Sequence, residues 1–114
     1  MIYFIKAVDG DAVKIGYCKS DPQRRRQALQ TGHPARLELI AVIEGPDAGR
    51  LGEAAWHSRF AADRLQGEWF RWSPELRRAV LPYLTKHVVH ERQAAARDFA
   101  TGRFTRLPSK REEY

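Results

Sequence analysis

The sequence predicts an α+β domain, and three observations carry that expectation. Two alternating apolar runs, "IYFIKA" and "AVKIGYC", flank "VDGD", the pattern of a β-hairpin closed around Asp9-Gly10. A third apolar run, "LELIAVIEG", is rich in aliphatic and β-branched residues and ends at Gly45-Pro46. Between and after these runs lie segments with helix punctuation, so strands and helices are mixed along one short chain.

Taken in order, the hairpin comes first. The segment "SDPQRRRQALQTGHP" follows as a short helix: Ser20 or Asp21 can cap it, Pro22 suits its first turn, and Gly32 with Pro34 stops it. After the third strand, residues 47 to 64 read as a second helix with Leu51, Ala55, Trp56 and Phe60 as burial candidates. "GEWFRW" is a short aromatic strand or extended segment. Ser73-Pro74-Glu75 opens a third helix, "SPELRRAVLPYL", whose last turn Pro82 weakens. "KHVVHERQAAARDFA" reads as a fourth helix, and the tail from Thr101 lacks anchoring residues.

Composition narrows the function classes. The 114 residues suffice for one core, and 43% hydrophobic with 11% aromatic residues belong to a folded chain. No run of 18 apolar residues is present, and "MIYFIKAVDGDAV" lacks the basic n-region of a signal peptide. The single cysteine, Cys18, cannot form an internal disulfide, which fits a reducing, cytoplasmic setting. Twenty Lys and Arg against fourteen Asp and Glu leave a formal charge of +6, favouring a polyanionic partner such as nucleic acid. Between Tyr17 and Leu37 the basic residues Lys19, Arg24, Arg25, Arg26 and Arg36 face one acid, Asp21. Such runs also serve as plain solvated faces.

The second strand has a fault that points to a site. Val13, Ile15 and Tyr17 suit one face, while Lys14 and Gly16, both poor strand residues, fall on the other. In a symmetric hairpin, residues whose numbers sum to 19 face each other, pairing Ile5 with Lys14 and Tyr3 with Gly16. A phenol and an ammonium then share a face, and Gly16 leaves a gap where a ligand could approach. An Arg from "RRRQALQ" could reach over that face with a bidentate fork for phosphate, although spacing does not choose among Arg24, Arg25 and Arg26. Glu53 and His57, at i and i+4 in "EAAWH", share one side of a helix and could hold a divalent cation or form only a surface hydrogen bond. Glu68 in "GEWF" is a carboxylate beside two large aromatics.

These residues carry a resemblance. "IYF" followed by "KIG", with Lys14 eleven positions after Tyr3, resembles the GIY-YIG nuclease superfamily. The chain is similar to a bacterial and phage branch in which the second motif reads K-I-G. That branch continues through a D-P…R…L-Q-T-G-x-P helix and E-x-x-x-H…F to G-E-W-F. Here those are "DPQRRRQALQTGHP", "EAAWHSRF" and "GEWF", and the match covers about residues 1 to 76.

The resemblance implies a small antiparallel sheet of about three strands flanked by helices, to which the residues past it add the extra C-terminal helices. Residues 1–84 would form the nuclease-like domain, and 85–114 a helix and basic tail extending it. It also implies metal-dependent cleavage of a phosphodiester, in DNA in preference to RNA, with one Mg²⁺ or Mn²⁺. Carried over residue by residue, Tyr3 orients or deprotonates the attacking water and Arg25 steadies the scissile phosphate. Glu53 holds the metal, and His57 is its companion. Gly16, Arg24 and Glu68 are accessory candidates, and the basic run separately offers Lys19, Arg26 and Arg36 as candidate nucleic-acid contacts.

Two departures stand out: Met1 replaces the first-motif glycine, and Lys14 stands where most of the superfamily has its second tyrosine. No asparagine occurs in the chain, so the late asparagine of some relatives is absent, and Glu68 could fill its space. A nucleic-acid-binding module that no longer cuts is therefore the rival reading. His87, His90 and Glu91 in "HVVHE" offer a weaker metal motif, without the i,i+4 histidine pair of zinc proteases.

Overall fold

The computed structural model describes residues 1–85. The expected fourth helix, the tail and the His87, His90, Glu91 motif lie outside the described residues. Strands β1 (Ile2–Ala7) and β2 (Ala12–Tyr17) form the hairpin, followed by α1 (Pro22–Gln30), β3 (Leu37–Ile43) and α2 (Arg50–Arg59). Then come β4 (Arg64–Gln66), β5 (Trp69–Arg71) and α3 (Pro74–Val80). The strands make one antiparallel sheet in the order β3-β1-β2-β5-β4.

The hairpin register is the one the symmetric turn requires: Tyr3 lies opposite Gly16 and Ile5 opposite Lys14. Alternation then sorts the sheet into two faces with separate cores. Phe4, Val13, Ile15 and Phe70 pack with Trp56 and Phe60 of the α2 region and Leu76 and Val80 of α3. Tyr3, Ile5 and Ala7 pack on the other face with Leu37, Leu39, Trp69 and Leu29 of α1. A bulge in the β1–β3 ladder shifts the register between Phe4 and Ile5, so that both Ile40 and Ala41 join the first core. Phe4 and Phe70 are wholly buried, and truncating either to Ala would cost about 3–5 kcal/mol.

Several expectations need correction. The sheet has five strands instead of about three, because "GEWFRW" supplies β5 beside β2 and a short exposed segment adds β4 at the edge. The second helix is shorter than residues 47 to 64. It ends at Phe60, whose backbone leaves the helical region, and a single 3₁₀ turn (Ala61–Asp63) leads into β4. Leu51 and Ala55 are exposed, Leu51 to 88%, whereas Glu53 is the residue α2 buries. Pro82 acts as expected: α3 stops at Val80 and the chain tightens into a 3₁₀ turn over Leu81–Tyr83. Past it, Leu84 bridges to Ala41 and the Thr85 amide donates to the Ile40 carbonyl at 2.9 Å, covering the β3 edge.

The caps follow the sequence. Asp21 accepts from the Gln23 amide at 3.0 Å, Pro22 opens α1, and Gly32 takes φ of +86° beyond its end. Ser73 caps α3 from a fully buried position, accepting from the Leu76 amide at 3.1 Å while its hydroxyl donates to Asp63 at 2.7 Å.

Candidate active site

The candidate site forms where β5 departs from β2. The Ile15 amide still donates to the Glu68 carbonyl at 3.0 Å, but the Ile15 carbonyl is met instead by His57 Nε2 of α2 at 2.8 Å. A carbonyl oxygen only accepts, so Nε2 must carry the hydrogen. The ring also lies against Phe70, with centroids 5.1 Å apart. This fixes the side of α2 that faces the sheet, and Glu53, one turn earlier, is carried in with it, 3.8 Å from His57 Nε2.

Glu68, at the start of the β5 segment, meets this pair from the other side. Glu53, His57 and Glu68 each offer a ligand-type atom, all within 4.8 Å of one another. They are the one such group among the described residues. Lys14 completes the cluster: its ammonium lies 3.0 Å from Glu68 Oε1 and over the Trp69 ring at 5.9 Å. Two carboxylates in contact cannot both ionise freely. Burial, then the charge and hydrogen bond of Glu68, pushes Glu53 above the usual carboxylate range, against the pull of His57 and Arg50. Burial pushes Glu68 the same way, but the hydrogen bond and charge of Lys14, with help from Glu53 and His57, outweigh it and hold Glu68 low. Any shared proton therefore belongs to Glu53.

Tyr3 lies beside this cluster and is 2% exposed. Its ring covers Gly16, where any Cβ would collide with the phenol. The gap expected at Gly16 is thus filled by Tyr3 itself, and the glycine is the seat of the tyrosine. Burial, aided by the charges of Glu68, Cys18 and Glu53, pushes the phenol up to about 12, against the opposing charge of Arg25. At neutral pH Tyr3 is a hydrogen-bond donor.

The basic candidates divide by position. Arg25 is exposed on α1, near enough for its charge to act on Tyr3, and it lines a groove with Arg24 and Lys19. Arg26 turns back along its own helix to hydrogen-bond Gln23 at 2.7 Å. Arg36 precedes β3 beside Val8, at the end of the sheet away from Tyr17, so it does not join the groove. The sequence reading missed Arg50 and Tyr17, which complete the groove wall with the Arg50 guanidinium 5.0 Å from the Tyr17 ring centroid. The alternation of β2 marks Tyr17, but nothing in local spacing marks its partner.

A buried Glu53 and a half-exposed Glu68, with an imidazole and an ammonium, thus meet at the margin of the antiparallel sheet of an α+β domain, beside a basic groove. The chain belongs to the T5orf172 domain family, whose model matches residues 1–97. That family is phage-associated and related to the GIY-YIG nuclease-like fold. No curated protein and no solved structure matches the chain. Among the described residues, no helix is long and apolar enough to cross a membrane.

Proposed function

We propose that the chain is a metal-dependent endonuclease domain that cleaves phosphodiester bonds in nucleic acid, DNA in preference to RNA. The observation that carries this reading is the contact cluster of Lys14, Glu53, His57 and Glu68 beside Tyr3 and Arg25. The donor set suits the cation: the two carboxylates are a hard, partial oxygen shell of the kind that Mg²⁺ or Mn²⁺ completes with water and phosphate oxygens. Glu53 and Glu68 would hold it, and when bound it supplies charge neutralisation at the phosphate and the leaving oxygen.

The chain's own groups divide the remaining work. Tyr3, protonated, donates a hydrogen bond that orients the attacking water. Arg25 grips the non-bridging oxygens with its planar fork. The role that the 3.0 Å pairing of Lys14 with Glu68 supports is charge stabilisation. His57 locks α2 to the Ile15 carbonyl and so sets the position of Glu53.

The test is incubation of supercoiled, linear and branched DNA, and of RNA, with Mg²⁺, Mn²⁺ or EDTA. Nicking that requires a divalent cation and disappears in Glu53→Gln is expected. The second reading, a binding module that does not cut, draws on Lys14 in place of the superfamily's tyrosine. Nucleic-acid binding with no cleavage in any divalent metal would establish it in place of the first.

A further inference from the structure

The groove beside Tyr3 has more than a phosphate grip. Its volume is about 320 Å³, and Tyr17, Lys19, Asp21, Arg24, Arg25 and Arg50 line it. Four cations thus face one carboxylate, and Asp21 already accepts a hydrogen bond as the cap of α1. Among the described residues, no carboxylate lies within ion-pair distance of Lys19, Arg24, Arg25 or Arg50. Arg50 lies over the Tyr17 ring, so a flat guanidinium backed by an aromatic forms one wall while the other cations stand around it. Arg25 belongs to both the groove and the Tyr3 environment, which places the groove next to the cluster.

We infer that this groove seats one unpaired nucleotide adjacent to the scissile phosphate, its base stacked on the Arg50–Tyr17 platform and its phosphate held by Lys19, Arg24 and Arg25. Arginine planes and aromatic rings stack unpaired bases irrespective of sequence, and a cavity near the lower end of small-ligand size admits a nucleotide but no base pair. The substrate class is then single-stranded nucleic acid or a duplex with a frayed or flapped end. The inference rests on the nucleic-acid reading above and adds strandedness to it.

The experiment is fluorescence anisotropy in EDTA with the full chain, so that cleavage plays no part. The probes are a labelled single-stranded oligonucleotide and a labelled blunt duplex of the same sequence. The wild type is expected to bind the single strand about tenfold more tightly than the duplex, the size of one stacking contact. Arg50→Lys keeps the charge but removes the flat face, and it should bring the two affinities together. Lys19→Glu should weaken both. Both substitutions are at exposed positions. Equal affinities in the wild type, or a preference that survives Arg50→Lys, would overturn the inference while leaving the nucleic-acid reading in place. Failure to bind either probe at low salt would overturn that reading, and the inference with it.

Discussion

Tyr3 keeps its proton far beyond neutrality because burial, reinforced by nearby acids, pushes it up to about 12. The folded state therefore holds that proton more tightly than the unfolded chain, whose tyrosine titrates near about 10. Stability from this group is intact below about 10 and is lost as the pH rises through about 12. Difference ultraviolet titration of wild type against Tyr3→Phe should show the late ionisation, and Tyr3→Phe should lose less stability over that interval. The acid pair makes a second prediction. Because Glu53 is held above its ordinary range, its ionised form is penalised in the fold, so Glu53→Gln should melt higher than wild type at neutral pH. That gain should shrink as acid protonates Glu53, and the proposed divalent-dependent cleavage should be lost at neutral pH. A lower melting temperature at neutral pH would show that Glu53 has a stabilising partner instead. At this scale the sequence was informative where the geometry is local. Tyr3 opposite Gly16 follows from a symmetric hairpin, and Glu53 beside His57 from helix spacing. Arg50 over Tyr17 joins a helix start to a strand end, and no local pattern marks such a tertiary contact.

Elements were legible in proportion to their periodicity. The hairpin, β3 and α1 each carry alternation, β-branched runs or caps, and each appears where those signals put it. β4 has three exposed residues and no apolar alternation, because an edge strand need not bury a face, and so it left no mark. The end of α2 was misread for a related reason: the helix buries a carboxylate and exposes Leu51, inverting the usual amphipathic code. Two substitutions test how these elements are joined. Ser73→Ala removes both the α3 cap and the bond to Asp63 at a fully buried position, and chemical denaturation should report a loss of about 1–3 kcal/mol. In α2, a Cβ at Gly52 would strike the Asp47 carbonyl. Gly52→Ala should therefore lower the melting temperature despite the better helix propensity of alanine, whereas Ala54→Gly on the exposed side should cost only about 1 kcal/mol.

Across the described residues, the sheet has two packed faces, and the candidate site draws on both, since α2 supplies Glu53 and His57. One face, with α2 and α3, carries the larger aromatic and aliphatic core, and the other carries Tyr3 and Lys14 beneath α1. Net charge of +6 and the basic run holding Lys19, Arg24 and Arg25 were readable in the sequence, but not that Arg50 joins these three at one end of the sheet while Arg36 lies at the other. Affinity for nucleic acid should thus depend on a concentrated set of phosphate contacts. With Lys19, Arg24 and Arg25 engaged on phosphate, the logarithm of affinity should fall against the logarithm of salt with a slope of about −2 to −3 between about 50 and 200 mM. A flat response would assign the charge to solubility.

The ring of Tyr3 resting on the bare backbone of Gly16 ties two positions into one evolutionary unit. Alanine at 16 is costly only while a ring occupies position 3, so the penalty of Gly16→Ala should largely vanish in a Tyr3→Ser background, and a double-mutant cycle would return a strong coupling. Lineages can therefore lose the phenol first and fill the glycine afterwards, but hardly in the reverse order. A side chain at position 16 is then expected only where the tyrosine at position 3 has already gone.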